Sequence, residues 1–285
     1  MKQTALLALM SSLLLAACNP VTPPAAPAGQ LAYGLTTGGQ LVSFGLDNAN
    51  ASLSTMNVTG LGSGETLVDL DVRNTDNMLY ALSSAGNIYR LSMAGAATRD
   101  GAALGEAAVA MDFNPVANRL RVVGTADRNF RVTLNSAPVP GTSPAGTVTN
   151  DGTYAYALST PNPNLVAAAY TNSFNNSASG AVNPNTTTEL FTIDADTDAL
   201  VLHSNNPTGP AGNFSLLTSR GALGVDAMPG MTGFDITGTS SAYLSTSTGG
   251  TTSFYTVNLG TGAATLKTTL SGVSLKSFAL ALTPQ

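Results

Sequence analysis

Charge is scarce in this 285-residue sequence. Only 9 % of residues are Asp, Glu, Lys or Arg, and there is one histidine, one cysteine and no tryptophan. Each scarcity narrows the function. Disorder needs low hydrophobicity with high net charge, and here 43 % of residues are hydrophobic. The formal charge is −5, so the chain lacks the basic surface that displaces counterions from nucleic-acid phosphates, and nucleic acid is not expected as a partner. Missing tryptophans argue against sugar platforms and quinone-stacking faces, which favour large aromatic surfaces. A single histidine, His203, near a strand end reads as a surface or capping residue rather than a base. No Gly-x-Ser-x-Gly elbow occurs, and GLGSGE (60–65) has no following Lys or helix to make a phosphate loop. No catalytic residue, cofactor or metal is expected.

The lone cysteine is informative through its position. MKQTALLALMSSLLLAACNP opens with one Lys, an apolar run from Ala5 to Ala17, and then Cys18. The run is too short for a membrane span but has the proportions of a secretory leader. Leu15-Ala16-Ala17-Cys18 resembles a bacterial lipobox, in which the cysteine is acylated and becomes the mature N-terminus. Three segments are therefore expected: a lipoprotein signal peptide over 1–17, a tether over 18–30 and a folded domain over 31–285. The tether NPVTPPAAPAGQ holds four prolines and cannot build a core. The expected address is the cell envelope, with the lipid as the membrane contact.

After residue 30 a period-2 pattern dominates, with strands in a recurring order. One unit covers 67–98, the next 108–139, and a late one 232–270. Each has an apolar-Asp-apolar strand, a polar turn, a second strand, another turn and a third strand. Asp71 and Asp112 lie 41 residues apart, a blade-like period. A fourth unit is read as TYAYAL (153–158), LVAAAYTN (165–172), TELFTID (188–194) and ALVLH (199–203), with an Asn/Ser-rich insertion over 173–187 between its second and third strands. The chain starts with two strands that match the middle of a unit, and ends with VSLKSFALAL, which matches the missing first strand. The expected fold is an all-β, monomeric propeller of five blades closed by its termini, because closure removes exposed edges. Six blades is the alternative, since Tyr154 and Asp235 stand about two periods apart.

DFNPVANRLRVV with Asn129-Phe130-Arg131 resembles the signature of the DUF4394 family of bacterial exported proteins. VAAAYTN, LGVDA, GFDI and FYTVNLGTGAAT resemble its later segments, so the likeness covers roughly residues 31–282. The family pattern tends to carry Asp where this chain has Asn118. The resemblance implies an exported propeller and no particular activity.

Four of eleven basic residues fall within 118–131. Alternation puts Arg119 and Arg121 on one strand face, and pairing apolar with apolar brings Arg131 to that face, opposite one of them. Facing like charges are destabilising unless neutralised. Candidates for neutralisation are Asp112, Asp127 or Glu106, or else an anionic ligand held by Arg119, Arg121, Asn129 and Arg131. Asp71, Asp112 and Asp235 share one register, with Ala155 and Ala279 expected in the other two blades. Such a ring makes either inter-blade bonds or, less in keeping with a repeat, a cation site. Asp194, Asp196 and Asp198 begin like a calcium loop, but Ala199 and Asn205 stand where Gly and Glu are needed, so a hairpin turn is expected. Two functions remain: a lipid-anchored binding propeller without catalysis, or an exported glycan-type hydrolase with carboxylates at the channel mouth.

Overall fold

The computed structural model describes residues 23–136, 143–158, 161–182 and 187–285, so the leader and Cys18 lie outside the described residues. The chain begins with β1 (Leu31–Thr36), β2 (Gln40–Gly45), a one-turn helix α1 (Ala49–Ser52) and β3 (Ser54–Asn57). A second sheet follows with β4 (Leu67–Val72), β5 (Leu79–Ser83), β6 (Asn87–Leu91) and β7 (Ala97–Ala103). The third holds β8 (Ala108–Asn114), β9 (Arg119–Gly124), β10 (Arg128–Val132) and β11 (Val148–Thr153). The fourth holds β12 (Ala155–Tyr156), β13 (Leu165–Tyr170), β14 (Leu190–Asp194), β15 (Ala199–Ser204) and β16 (Leu216–Ala222). The fifth holds β17 (Thr232–Thr237), β18 (Ser241–Thr248), β19 (Thr251–Val257) and β20 (Ala264–Ser271). Finally β21 (Leu275–Leu280) returns to pair antiparallel with β1 and completes the first sheet in the order β21-β1-β2-β3.

The result is a five-bladed propeller, and the expectation of closure by the two termini holds. Strands β4, β8, β13, β17 and β21 are innermost, and each neighbours the next around the axis. Apolar side chains form five clusters, one in every seam between adjacent blades. In one seam Tyr80 and Leu82 meet Phe113, Leu120 and Phe130; the ring of Tyr80 stands edge-on to Phe113 at 5.2 Å. Blades buried on both faces explain runs such as LYALS, in which all five residues are buried. Each aromatic fully enclosed in a seam contributes about 2–3 kcal/mol.

The fourth blade differs from its expected strand order. TYAYAL does not supply the inner strand: β12 is a two-residue edge paired parallel to β16. LVAAAYTN supplies it instead, because every residue of β13 is buried, whereas Ala155 is exposed. The insertion after residue 172 therefore leaves the end of an inner strand. It lies across the channel there: Asn175 N donates to Thr283 O (2.9 Å), Asn176 N to Asn74 O (2.8 Å), and Gly238 N to Ser173 O (2.7 Å). One end of the channel is thus closed by the chain's own backbone.

Residues 25–30 lie against the propeller. Ala25 N donates to Ala51 O (2.8 Å), Asp47 N to Ala28 O (3.0 Å), and Asn48 Nδ2 to Ala26 O (2.8 Å). Gln30 Nε2 reaches Ala281 O (2.8 Å), just past the end of β21.

Candidate functional site

The inner strands carry the aspartates in register. Asp71 Oδ2 accepts the N–H of Phe113 (2.7 Å), Asp112 Oδ1 that of Tyr170 (3.1 Å), and Asp235 Oδ2 that of Leu280 (2.6 Å). In each case the donor follows the equivalent position of the next blade. The fourth blade's equivalent is therefore Ala169, not Ala155, while Ala279 stands where expected. The repeated aspartate is an inter-blade tie. Its recurrence in three blades also brings one carboxylate oxygen from each of Asp71, Asp112 and Asp235 within 4.8 Å of one another, the one such acidic cluster among the described residues that could hold a cation.

Burial, first, and the neighbouring carboxylates, second, push Asp71 and Asp112 well above the ordinary carboxylate range. Burial raises Asp235 to about 7. Three such groups cannot all ionise without a counter-charge, so at neutral pH they retain protons unless a cation joins them.

One layer toward the other channel end sits Asp69. Its carboxylate accepts the N–H of Met111 (2.6 Å), the N–H of Leu70 (2.9 Å) and the hydroxyl of Ser277. Burial raises it to about 7 despite these donors. Above it opens a cavity of about 220 Å³ whose lining comes from all five blades: Asp69, Val109, Asn164, Thr232 and Lys276 are representative. Lys276 is half-buried there and makes no ion pair or hydrogen bond with any described residue. The channel mouth thus holds one carboxyl below and one ammonium at the rim. Among the described residues that line it there is neither a pair of carboxylates nor an arginine.

The arginines gather elsewhere, between the third and fourth blades. Arg131 stands opposite Arg121, as the alternation required. Arg119, Arg121, Asn129 and Arg131 share one face, and the neutralising group is Asp151 on β11. Arg121 Nη1 donates to Asp151 Oδ2 (2.7 Å), and Arg131 donates Nε to Oδ2 (2.6 Å) and Nη2 to Oδ1 (2.8 Å). Of the carboxylates proposed from sequence, Glu106 pairs with Arg128 (3.2 Å), and Asp112 turns to Tyr170 instead. Arg121 further donates to Tyr170 Oη, Asn129 Oδ1 and the carbonyls of Gly212 and Asn213, with the Phe214 ring 5.6 Å away. These contacts rivet two blades together.

One other residue departs from expectation. His203 is buried, not superficial: it bridges Thr192 Oγ1 and Phe214 O (2.8 Å each) edge-on to Tyr154. Burial lowers its pKa to about 3, so it stays neutral. Asn118, where the family tends to carry Asp, has φ 47°, a conformation that a short polar side chain tolerates, and its Oδ1 accepts Arg73 Nε (2.9 Å) and Thr75 Oγ1 (3.0 Å). The Asp194–Asp198 stretch is the hairpin turn between β14 and β15.

The sequence profile of the domain of unknown function DUF4394 matches residues 40–279. No curated protein sequence matches the chain. Among solved structures it is similar to a chain of a nidogen/laminin complex, at 12% identity and TM-score 0.49, covering 90% of this chain and 99% of that one. It is also similar to an auxiliary nutrient binding protein from Bacteroides thetaiotaomicron, at 10% identity, TM-score 0.44, and 89% and 64% coverage. A catalytically inactive virginiamycin B lyase from Staphylococcus aureus with quinupristin gives 10% identity, TM-score 0.39, and 85% and 71% coverage. The chain belongs to the DUF4394 family.

Proposed function

We propose that this DUF4394 propeller is an exported, lipid-anchored binding protein of the cell envelope that takes a small hydroxylated or zwitterionic molecule in its channel mouth. The observation that carries this reading is the mouth itself. Five blades converge on one cavity, and its two charged groups have opposite character. Lys276 offers donors without an acceptor, while the Asp69 carboxyl below it, titrating near 7, can accept from or donate to a ligand. A concave site with a few convergent polar groups on otherwise apolar walls suits recognition of a small molecule.

A glycan hydrolase needs two carboxyls flanking the scissile bond at roughly 5–10 Å. Asp69 is the one carboxylate among the residues that line this mouth, which favours binding over hydrolysis. A second binding reading, an anion at the arginine cluster, draws support from the excess of guanidinium over carboxylate there.

The test is a thermal-shift screen of free amino acids and small sugars on the full chain and on Val109→Trp, which fills the mouth. A ligand of the native state raises the melting temperature in proportion to the logarithm of its concentration. A shift that survives Val109→Trp unchanged would place the ligand elsewhere and refute the mouth.

A further inference from the structure

Arg119 is the one arginine of the cluster that Asp151 does not neutralise. It is 7 % exposed and makes no ion pair with any described residue. No carboxylate side chain is hidden elsewhere, because every Asp and Glu of the sequence falls within the described stretches. Its Nη2 donates to Arg131 O (3.0 Å) and Thr149 Oγ1 (2.9 Å), but its buried Nε has no acceptor. A buried donor left unmade costs on the order of 1–3 kcal/mol, and more when charged.

A second orphan lies across the ladder. The β9–β10 ladder ends at the pair Leu120–Val132; Arg119 and Thr133 are the next residue on each side, and alternation puts both on the side of Arg121 and Arg131. Thr133 is 1 % exposed, and its hydroxyl has no partner either. Three guanidiniums gather in this blade while its one carboxylate here, Asp151, pairs with two of them, so positive charge is in excess. Burial, then the charge of Arg131, pulls the pKa of Arg119 down, as expected of a cation lacking its counter-ion.

We propose that Arg119 and Thr133 form a binding site for a small oxyanion, within the third blade and toward the propeller face opposite the mouth. This rests on the anion reading of the cluster, but it shifts the contact from Arg121 and Arg131, which Asp151 already neutralises, to Arg119. A water molecule could bridge Nε and Oγ1, yet it brings no charge. A phosphate, sulfate or carboxylate group supplies two acceptors at once and neutralises the guanidinium, for which the planar donor fork is suited.

The experiment is calorimetric titration of the full chain with inorganic phosphate, sulfate and acetate, each at ionic strength held constant with chloride. Saturable binding of at least one, at one per chain, is expected. Thr133→Val keeps side-chain volume and removes only the hydroxyl, so it should weaken binding by about tenfold, the loss of one hydrogen bond to a charged group. Arg119→Met should abolish binding; if that variant does not fold, Thr133→Val decides alone. Absence of saturable heat with all three anions overturns the site, as does an affinity unchanged in Thr133→Val. Loss of binding in Arg131→Met with Thr133→Val unaffected would sink this site while sparing the wider cluster reading. Val109→Trp at the mouth should leave anion binding unaltered.

Discussion

Arg121 and Arg131 face each other across the β9–β10 ladder and donate to the same oxygen, Oδ2 of Asp151, at 2.7 and 2.6 Å. Two like charges are thus held by one carboxylate whose side chain is fully enclosed. Asp151→Ala leaves both guanidiniums uncompensated. Removing one partner of a buried pair costs about 3–5 kcal/mol, which urea denaturation reads as a lowered midpoint at unchanged slope. A loss under about 1 kcal/mol would show that Asp151 is not the clamp described.

The axial carboxylates predict an inverted pH response. Asp69 and Asp235 titrate near 7 in the folded chain, and Asp71 and Asp112 lie well above their ordinary range. The unfolded chain releases these protons near pH 4, so the native state holds more protons between about pH 4 and 7. Stability is complete below that window and falls as pH rises through it, by about 1.4 kcal/mol per pH unit for each excess proton. His203 acts oppositely: with its pKa near 3, it contributes fully above about 6.5 and loses that contribution as pH falls. One histidine is outnumbered by four carboxyls. The melting temperature should therefore drop from pH 5 to pH 7, and a triple Asp71→Asn, Asp112→Asn, Asp235→Asn variant should flatten the curve. A melting temperature that climbs across this range contradicts the assignment.

Ring closure rests on the last inner strand. Deleting residues 275–285 removes β21, strips β1 of one ladder and takes Leu275, Phe278 and Leu280 from their seam. The truncated chain should lose cooperative unfolding and elute as larger species in size-exclusion chromatography, because unpaired edges template association. A monomeric, sharply unfolding truncation would show that closure is dispensable.

Lipidation makes the plainest forecast. Cys18→Ser should abolish incorporation of labelled palmitate and move the protein out of the membrane fraction. A labelled, membrane-bound mutant would refute the anchor.

Much of the architecture was legible because repetition is a one-dimensional signal. The 41-residue step between Asp71 and Asp112 set the blade length, and the orphan strand VSLKSFALAL announced the closure. The facing arginines followed from alternation alone. The fourth blade misled because TYAYAL and LVAAAYTN are equally apolar on paper; only burial on both faces distinguishes β13 from an edge. Asp151 escaped notice because VTNDGT has no apolar stripe and contains Gly152 at φ 90°, so it reads as a turn. The mouth left no local motif, since its lining is spread over five distant segments.

The docking of residues 25–30 fixes which way an anchored molecule would look. The chain enters β1 beside Ala281, at the finish of the inner strands, whereas Lys276 stands at their start. Only six residues, Asn19 to Pro24, lie between Cys18, the expected acylation position, and the first docked residue, Ala25, so the seven steps reach at most about 25 Å. Were Cys18 acylated, a propeller on so short a leash would ride close to the bilayer with its mouth turned outward. Solutes would meet the cavity from the aqueous side, and the oxyanion site would face the headgroups.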